Sequence, residues 1–192
     1  MKIGVLALQG DFAEHQVMLE ALGAEVSQVR LPEHLAGLAG LIIPGGESTT
    51  IGKLAVAYRL MEPLRAFAQT RAMWGTCAGA IFLSKDSHRD QPLLEVMDIE
   101  VERNAFGRQV DSFEIDLLMP EINQVGEEEC PYHAVFIRAP LIERVFGEAQ
   151  VLASLPDGRI VAARQGRLLA TAFHPELTGD PRFHRYFMEL AR

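Results

Sequence analysis

Cysteine is scarce in this chain: 192 residues hold two, Cys77 and Cys130. A secreted domain stapled by disulfides carries more, so the count excludes such a scaffold and predicts a reducing cytoplasm, where a free thiol persists. Basic runs are missing as well. Lysine and arginine number 18 against 26 acids, for a formal net charge of −8. Nucleic acid and anionic membrane surfaces both call for a basic face, and no Lys/Arg cluster supplies one locally. No segment approaches the ~20 consecutive apolar residues of a membrane span. The opening MKIGVLALQGD has one lysine and a short apolar run that stops at Gln9-Gly10-Asp11 with no small-residue cleavage site, so it reads as a first strand and not as a signal peptide. Internal repeats, low-complexity tracts and linkers are also lacking, which predicts one domain over 1–192.

What is present is ordinary globular material. Hydrophobic residues make up 48% and charged residues 23%, enough for one sizeable core. The first half alternates strand and helix. A continuous apolar run over 3–8 predicts a strand buried on both faces. Asp11 suits the cap of the next helix and Gly23 its end. Further strands are predicted over 25–30, 40–44 and 72–75, with Ser48 capping a helical region that Pro63 divides and another helix starting at Ala78. This alternation implies a mostly parallel sheet with helices on both faces, an α/β fold. In the second half, 95–103 and 112–118 read as strands around a loop, 104–111. Residues 134–138 form a short apolar run, 150–155 and 160–164 a hairpin around a two-residue turn at Asp157-Gly158, 168–173 a last strand and 180–192 a closing helix.

Chemistry concentrates in three places. Gly75-Thr76-Cys77-Ala78-Gly79 has the spacing of a nucleophile elbow. Its glycines let the backbone turn sharply, and Cys77 then heads a helix whose N–H groups favour a thiolate. The Ala78 N–H would face a developing oxyanion. The pentapeptide alone fits a buried cysteine at a strand–helix junction equally well. His174 and Glu176 tip that balance. With Pro175 holding the chain extended between them, they face the same way and supply a base and the carboxylate that orients it. Pro44-Gly45-Gly46-Glu47-Ser48-Thr49-Thr50 follows the third strand, at the sheet edge where open α/β folds bind ligands. The Gly46 N–H is a second candidate oxyanion donor, and Glu47 suits a cationic group such as an α-ammonium. A phosphate loop is excluded, because the G-K-[ST] ending is missing and an acid sits in the loop. Arg103 and Arg138 each end an apolar segment and suit a substrate carboxylate, although a surface arginine is the plainer reading of either alone. Cys130 and His133 have metal-ligand spacing, but no second close pair completes a zinc site. His15, His34, His88 and His184 read as surface or packing residues.

The segments GVLALQGDFAEH, LIIPGGESTT, WGTCAGAIFLS, VERNAFGRQVDSFE, VFIRAP and FHPELTGDPRFHRYF run from end to end of the chain. Together they resemble the glutaminase subunits of pyridoxal 5'-phosphate synthase, within the class I (triad) glutamine amidotransferases. Many members of that class have a glutamine just past the elbow, where this chain has Ala80 and Ile81, the pyridoxal-type pattern. The resemblance implies the mixed, mostly parallel sheet of the class. It implies L-glutamine as substrate, a Cys77–His174–Glu176 triad with Gly46 and Ala78 at the oxyanion, and a glutamine site lined by Gly46, Glu47, Ser48, Arg103, Ile137 and Arg138. It further implies no metal or organic cofactor, and a synthase subunit that accepts ammonia within a large hetero-oligomer. Gln9-Gly10 would lie near that interface and help complete the oxyanion hole on docking. Alternatives stay open on the residues: a freestanding cysteine hydrolase of γ-glutamyl substrates, and a redox-sensing or chaperone-like α/β protein whose Cys77 oxidises without turnover; against a third, an inactive regulatory relative, the intact triad residues argue.

Overall fold

The computed structural model describes residues 1–103, 112–123 and 130–192. Its first half lays down β1 (Lys2–Leu6), α1 (Phe12–Ala21), β2 (Glu25–Val29), β3 (Gly40–Ile43), α2 (Ser48–Ala57), α3 (Met61–Ala68), β4 (Ala72–Thr76) and α4 (Ala78–Leu83). Then follow β5 (Ser84–Asp86), β6 (Met97–Glu102), β7 (Ser112–Leu117), α5 (Pro120–Asn123), β8 (Tyr132–Ile137), β9 (Leu141–Val145), β10 (Gln150–Ser154), β11 (Ile160–Gln165), β12 (Leu168–Thr171) and α6 (Arg182–Leu190).

The sheet is mixed. Strands β2, β1, β3, β4 and β12 lie side by side and parallel. Beyond them β11 turns antiparallel to β12 and pairs with both β10 and β9. Strand β6 follows, antiparallel to β9, and β5 closes the edge parallel to β6. Strands β7 and β8 form a separate antiparallel pair. Period-two alternation places a core on each face of the central strands. Leu41, Ile43 and Met73 join the cluster made with Ile51 and Ala55 of α2, Leu64 and Phe67 of α3, and Phe82 of α4. Ile42, Ala72 and Trp74 point the other way, to Leu19 of α1, Phe183 and Phe187 of α6, and Tyr132 and Phe136 of β8. Helices therefore cover both faces, as the strand–helix alternation predicts. Among the described residues no helix is long and apolar enough to cross a membrane.

Local details differ from the sequence reading in instructive ways. Gly23 does end α1: at φ +80 it and Ala24 return N–H bonds to Glu20 and Leu19, a Schellman closure. The break after α2 has the same form. Arg59 takes φ +58, its N–H donates to Val56 and the Leu60 N–H to Ala55. Pro63 divides nothing; it sits in the first turn of α3, where its missing N–H costs little. The cap of α2 is Glu47 and not Ser48, and Asp11 occupies the cap position of α1 without a side-chain cap bond. The 150–165 hairpin forms, but its loop has three residues: Gly158 donates to the Leu155 carbonyl at φ +88, and Leu155 pairs with Arg159. Strands β6 and β7 belong to different sheets, and the loop 104–111 between them lies outside the described residues. The short strand β5, Ser84-Lys85-Asp86, has no apolar residue to signal it, and β9 offers only Leu141, Ile142 and Val145.

Candidate active site

The site forms where parallel strands end. Strand β4 delivers Cys77, whose N–H donates to the Thr171 carbonyl of β12 at 2.8 Å. Cys77 adopts φ +48, ψ −107, a backbone region that side chains rarely occupy. The elbow glycines are required by contact. A Cβ on Gly75 would meet the Gly79 backbone at 2.4 Å, and one on Gly79 would meet the Ile43 carbonyl oxygen at 2.0 Å. The chain can turn this sharply against β3 only without those side chains, and the turn places Cys77 at the start of α4.

His174 follows β12, and its N–H donates to the Val135 carbonyl of β8 at 2.9 Å. The stretch to Glu176 is not extended. Pro175 to Leu177 make a turn of 3-10 helix, and this curl, not strand alternation, brings Glu176 under the imidazole. His174 Nδ1 lies 2.7 Å from Glu176 Oε1 with both residues buried. Burial disfavours a charge on His174, yet hydrogen bonds and charges from Cys77 and Glu176 outweigh it and push its pKa up to about 10. Burial raises the Glu176 carboxyl above its ordinary value against the pull of His174. Asp11, the carboxylate freed from capping, reaches to 3.7 Å from His174 Nδ1. Asp11, His174 and Glu176 are the one grouping among the described residues with donors close enough for a metal ion. Nδ1 of His174 is turned to Glu176, so the ring already spends that nitrogen on a carboxylate.

A cavity of about 290 Å³ opens over Cys77. Cys77, Ala78 and His174 line it together with Gly46, Glu47 and Ser48. Arg103, Ile137 and Arg138 reach it from β6 and β8. Every residue predicted for the triad, the oxyanion and the glutamine site therefore lines the cavity except Glu176, which stands behind His174, whereas Gln9 and Gly10 do not reach it. Sequence reasoning missed Asp11, Ile81 and Pro140 as lining residues. Ile81 was within reach, since it lies one helical turn after Cys77. Asp11 was obscured by its capping position, and Pro140 carries no signal.

Glu47 is held more tightly than a free recognition carboxylate. Oε2 accepts from the Thr50 N–H at 2.8 Å and from the Thr49 and Thr50 hydroxyls, while Oε1 pairs with Arg103 at 2.8 Å. Burial opposes its ionisation, but these hydrogen bonds and Arg103 prevail and hold its pKa down at about 2. The Glu47 N–H in turn donates to Gln9 Oε1 at 2.7 Å, which ties the 44–50 loop to the turn between β1 and α1.

Fold and site together define an α/β protein of the nucleophile-elbow type, with a thiol and an imidazole at one cavity and a carboxylate behind the imidazole. The chain belongs to the SNO glutamine amidotransferase family, whose model matches residues 5–192. It is 58% identical to pyridoxal 5'-phosphate synthase subunit PdxT of Herpetosiphon aurantiacus, over 99% of this chain and 100% of that one. The PdxT of Moorella thermoacetica is 57% identical, with 99% of each covered. A crystal structure of a glutamine amidotransferase superposes with a TM-score of 0.90 at 53% identity, covering 98% of both chains. A PurLQS structure from Thermotoga maritima, 14% identical, matches at TM-score 0.71 and shares the fold alone.

Proposed function

We propose that this chain is the glutaminase subunit of a pyridoxal 5'-phosphate synthase: it hydrolyses L-glutamine to L-glutamate and ammonia and hands the ammonia to a synthase subunit. The observation that carries the reading is the Cys77 elbow and His174 lining one cavity, with Glu176 backing His174, in a chain that matches PdxT subunits end to end. Each residue then has a task. The Cys77 thiolate attacks the carboxamide carbon, and the Gly46 and Ala78 N–H groups receive the oxyanion. The His174 imidazolium, oriented by Glu176, gives its proton to the leaving nitrogen, so ammonia departs and a γ-glutamyl thioester remains. His174 next takes a proton from water, whose oxygen attacks the thioester carbon; the C–S bond breaks, glutamate leaves and the thiolate–imidazolium pair is restored. Glu47 and Arg103, already paired, present opposite charges to the α-ammonium and α-carboxylate of a small zwitterion, with Ser48, Ile137 and Arg138 completing the pocket. The free thiol fits a cytoplasmic setting, and we place the chain in a hetero-oligomer with the synthase subunit, near Gln9-Gly10.

Glutamate release from glutamine, with and without the synthase subunit, tests this for wild type and Cys77→Ala. Partner-stimulated release, lowered by roughly 10⁴-fold or more in the variant, is the expected result. Equal activity with and without the partner points to a freestanding hydrolase. No release under either condition sinks the glutaminase reading.

A further inference from the structure

His174 uses one of the two Glu176 oxygens. The other, Oε2, is buried, makes no well-aligned hydrogen bond, and lies 3.3 Å from Nε2 of His15. His15 projects from α1 and is fully buried. The same Nε2 lies 3.2 Å from the Thr76 hydroxyl, one residue before Cys77. Its Nδ1 meets Nε2 of His184, from α6, at 2.9 Å. Trp74 packs edge-on against both rings, with centroids 5.6 and 5.0 Å away, and locks them in place.

The surroundings decide the direction of this chain. Burial, first of all, and neighbouring histidine charges hold His15 well below the ordinary imidazole value, and burial holds His184 at about 3, so both rings are neutral. Two neutral rings in contact share one N–H. A proton on His15 Nδ1 would turn a bare lone pair on Nε2 toward the Glu176 carboxylate. It would also force the His184 proton onto Nδ1, a buried atom with no partner. Protons on Nε2 of both rings avoid both penalties. His184 then donates to His15, His15 donates toward Glu176 and Thr76, and the unpaired atom is a lone pair rather than an N–H.

We propose that His15 is a positioning residue of the site: its Nε2–H holds the Glu176 carboxylate against His174, and His184 fixes the tautomer that allows it. The inference rests on the glutaminase reading. Three consequences follow for variants assayed as the complex with the synthase subunit. His15→Phe lowers kcat about 10–100-fold, as removal of an outer-shell partner does, with KM within about twofold. His15→Gln, whose amide nitrogen reaches near the Nε2 position, keeps most of the activity, whereas His15→Asn, whose amide reaches only to Nδ1, does not. The pH profile of Cys77 alkylation by iodoacetamide, read by peptide mass to separate it from Cys130, moves in His15→Phe and returns in His15→Gln. That profile needs no turnover, so it stands even if wild type proves unable to release glutamate, which would fail the glutaminase reading instead. A folded His15→Phe with unchanged kcat and alkylation profile overturns the proposal. If the phenylalanine variant does not fold, equal loss in His15→Gln and His15→Asn overturns it as well.

Discussion

At Glu47 one carboxylate has two faces. Oε2 caps α2 and Oε1 meets Arg103, so the residue stabilises a helix and charges a cavity wall at once. Glu47→Gln separates these roles, because the amide oxygen can still accept from the Thr50 N–H while the charge is gone. The expected outcome is a rise in KM for glutamine of roughly 10-fold with kcat little changed, since a uniform binding contact is lost. Steady-state kinetics check it, and a drop in kcat at constant KM would assign Glu47 to the chemical step instead. Glu176 answers to the opposite test. Its carboxylate never touches the cavity, so Glu176→Gln should lower kcat by 10²-fold or more, as loss of an orienting carboxylate does, and leave KM near its original value.

Elements impose the strain and the punctuation. The elbow works only if α4 can press against β3, and Gly79 is where they touch. Gly79→Ala puts a methyl 2.0 Å from the Ile43 carbonyl oxygen. A destabilisation of about 1–3 kcal/mol is expected from urea unfolding, together with loss of activity as the Cys77 turn relaxes. Arg59 is the reverse case. It is exposed and holds φ +58 at the end of α2, a conformation that costs a side-chain-bearing residue about 1 kcal/mol and glycine almost none. Arg59→Gly should therefore raise stability by roughly 0.5–1 kcal/mol, visible as a higher urea midpoint at unchanged slope.

Across the whole molecule, buried histidines set the pH window of stability. His15 and His184 have folded values below the unfolded one of about 6.5, so the unfolded chain binds more protons as pH falls, and stability is lost from there down toward about 3 for His184. His174 has the opposite sign. Its folded value of about 10 lies above the unfolded one, so its contribution is complete below about pH 6.5 and is lost as pH rises through 10. Glu176, raised by burial, offsets part of the acid limb. A stability maximum near neutral pH is expected from thermal melts followed through Trp74, the single tryptophan, which packs on both buried histidines. His184→Phe should flatten the acid limb by up to about 1.4 kcal/mol per pH unit, and an unchanged slope would mean that His184 does not titrate in this range.

Legibility in the sequence follows the range of the interactions involved. Apolar strands at 3–8, 40–44 and 72–75, the elbow around Cys77 and the Gly23 stop are written locally, because alternation, glycine and helix ends act within a few residues. The mostly parallel α/β sheet and the cavity residues from Gly46 to Ser48 come out of that local code, since strands that alternate with helices must end on one edge. Contacts between distant segments were not written in this way. The apolar runs at 134–138 and 112–118 say nothing of their pairing as β8 and β7 apart from the central sheet. His174 and Glu176 meet through a 3-10 turn where an extended chain was expected, because Pro175 starts a turn as readily as it prolongs a strand. Asp11 turns from its helix toward His174, and the Ser48 hydroxyl donates to Gln91, 43 residues on, which leaves the cap of α2 to Glu47. By itself, then, the sequence determined which residues carry the chemistry and which strands present them. The tertiary structure alone decided how those side chains pair, because packing α1 and α6 against the sheet brings His15, a packing residue by sequence, to Glu176 and sets His184 behind it.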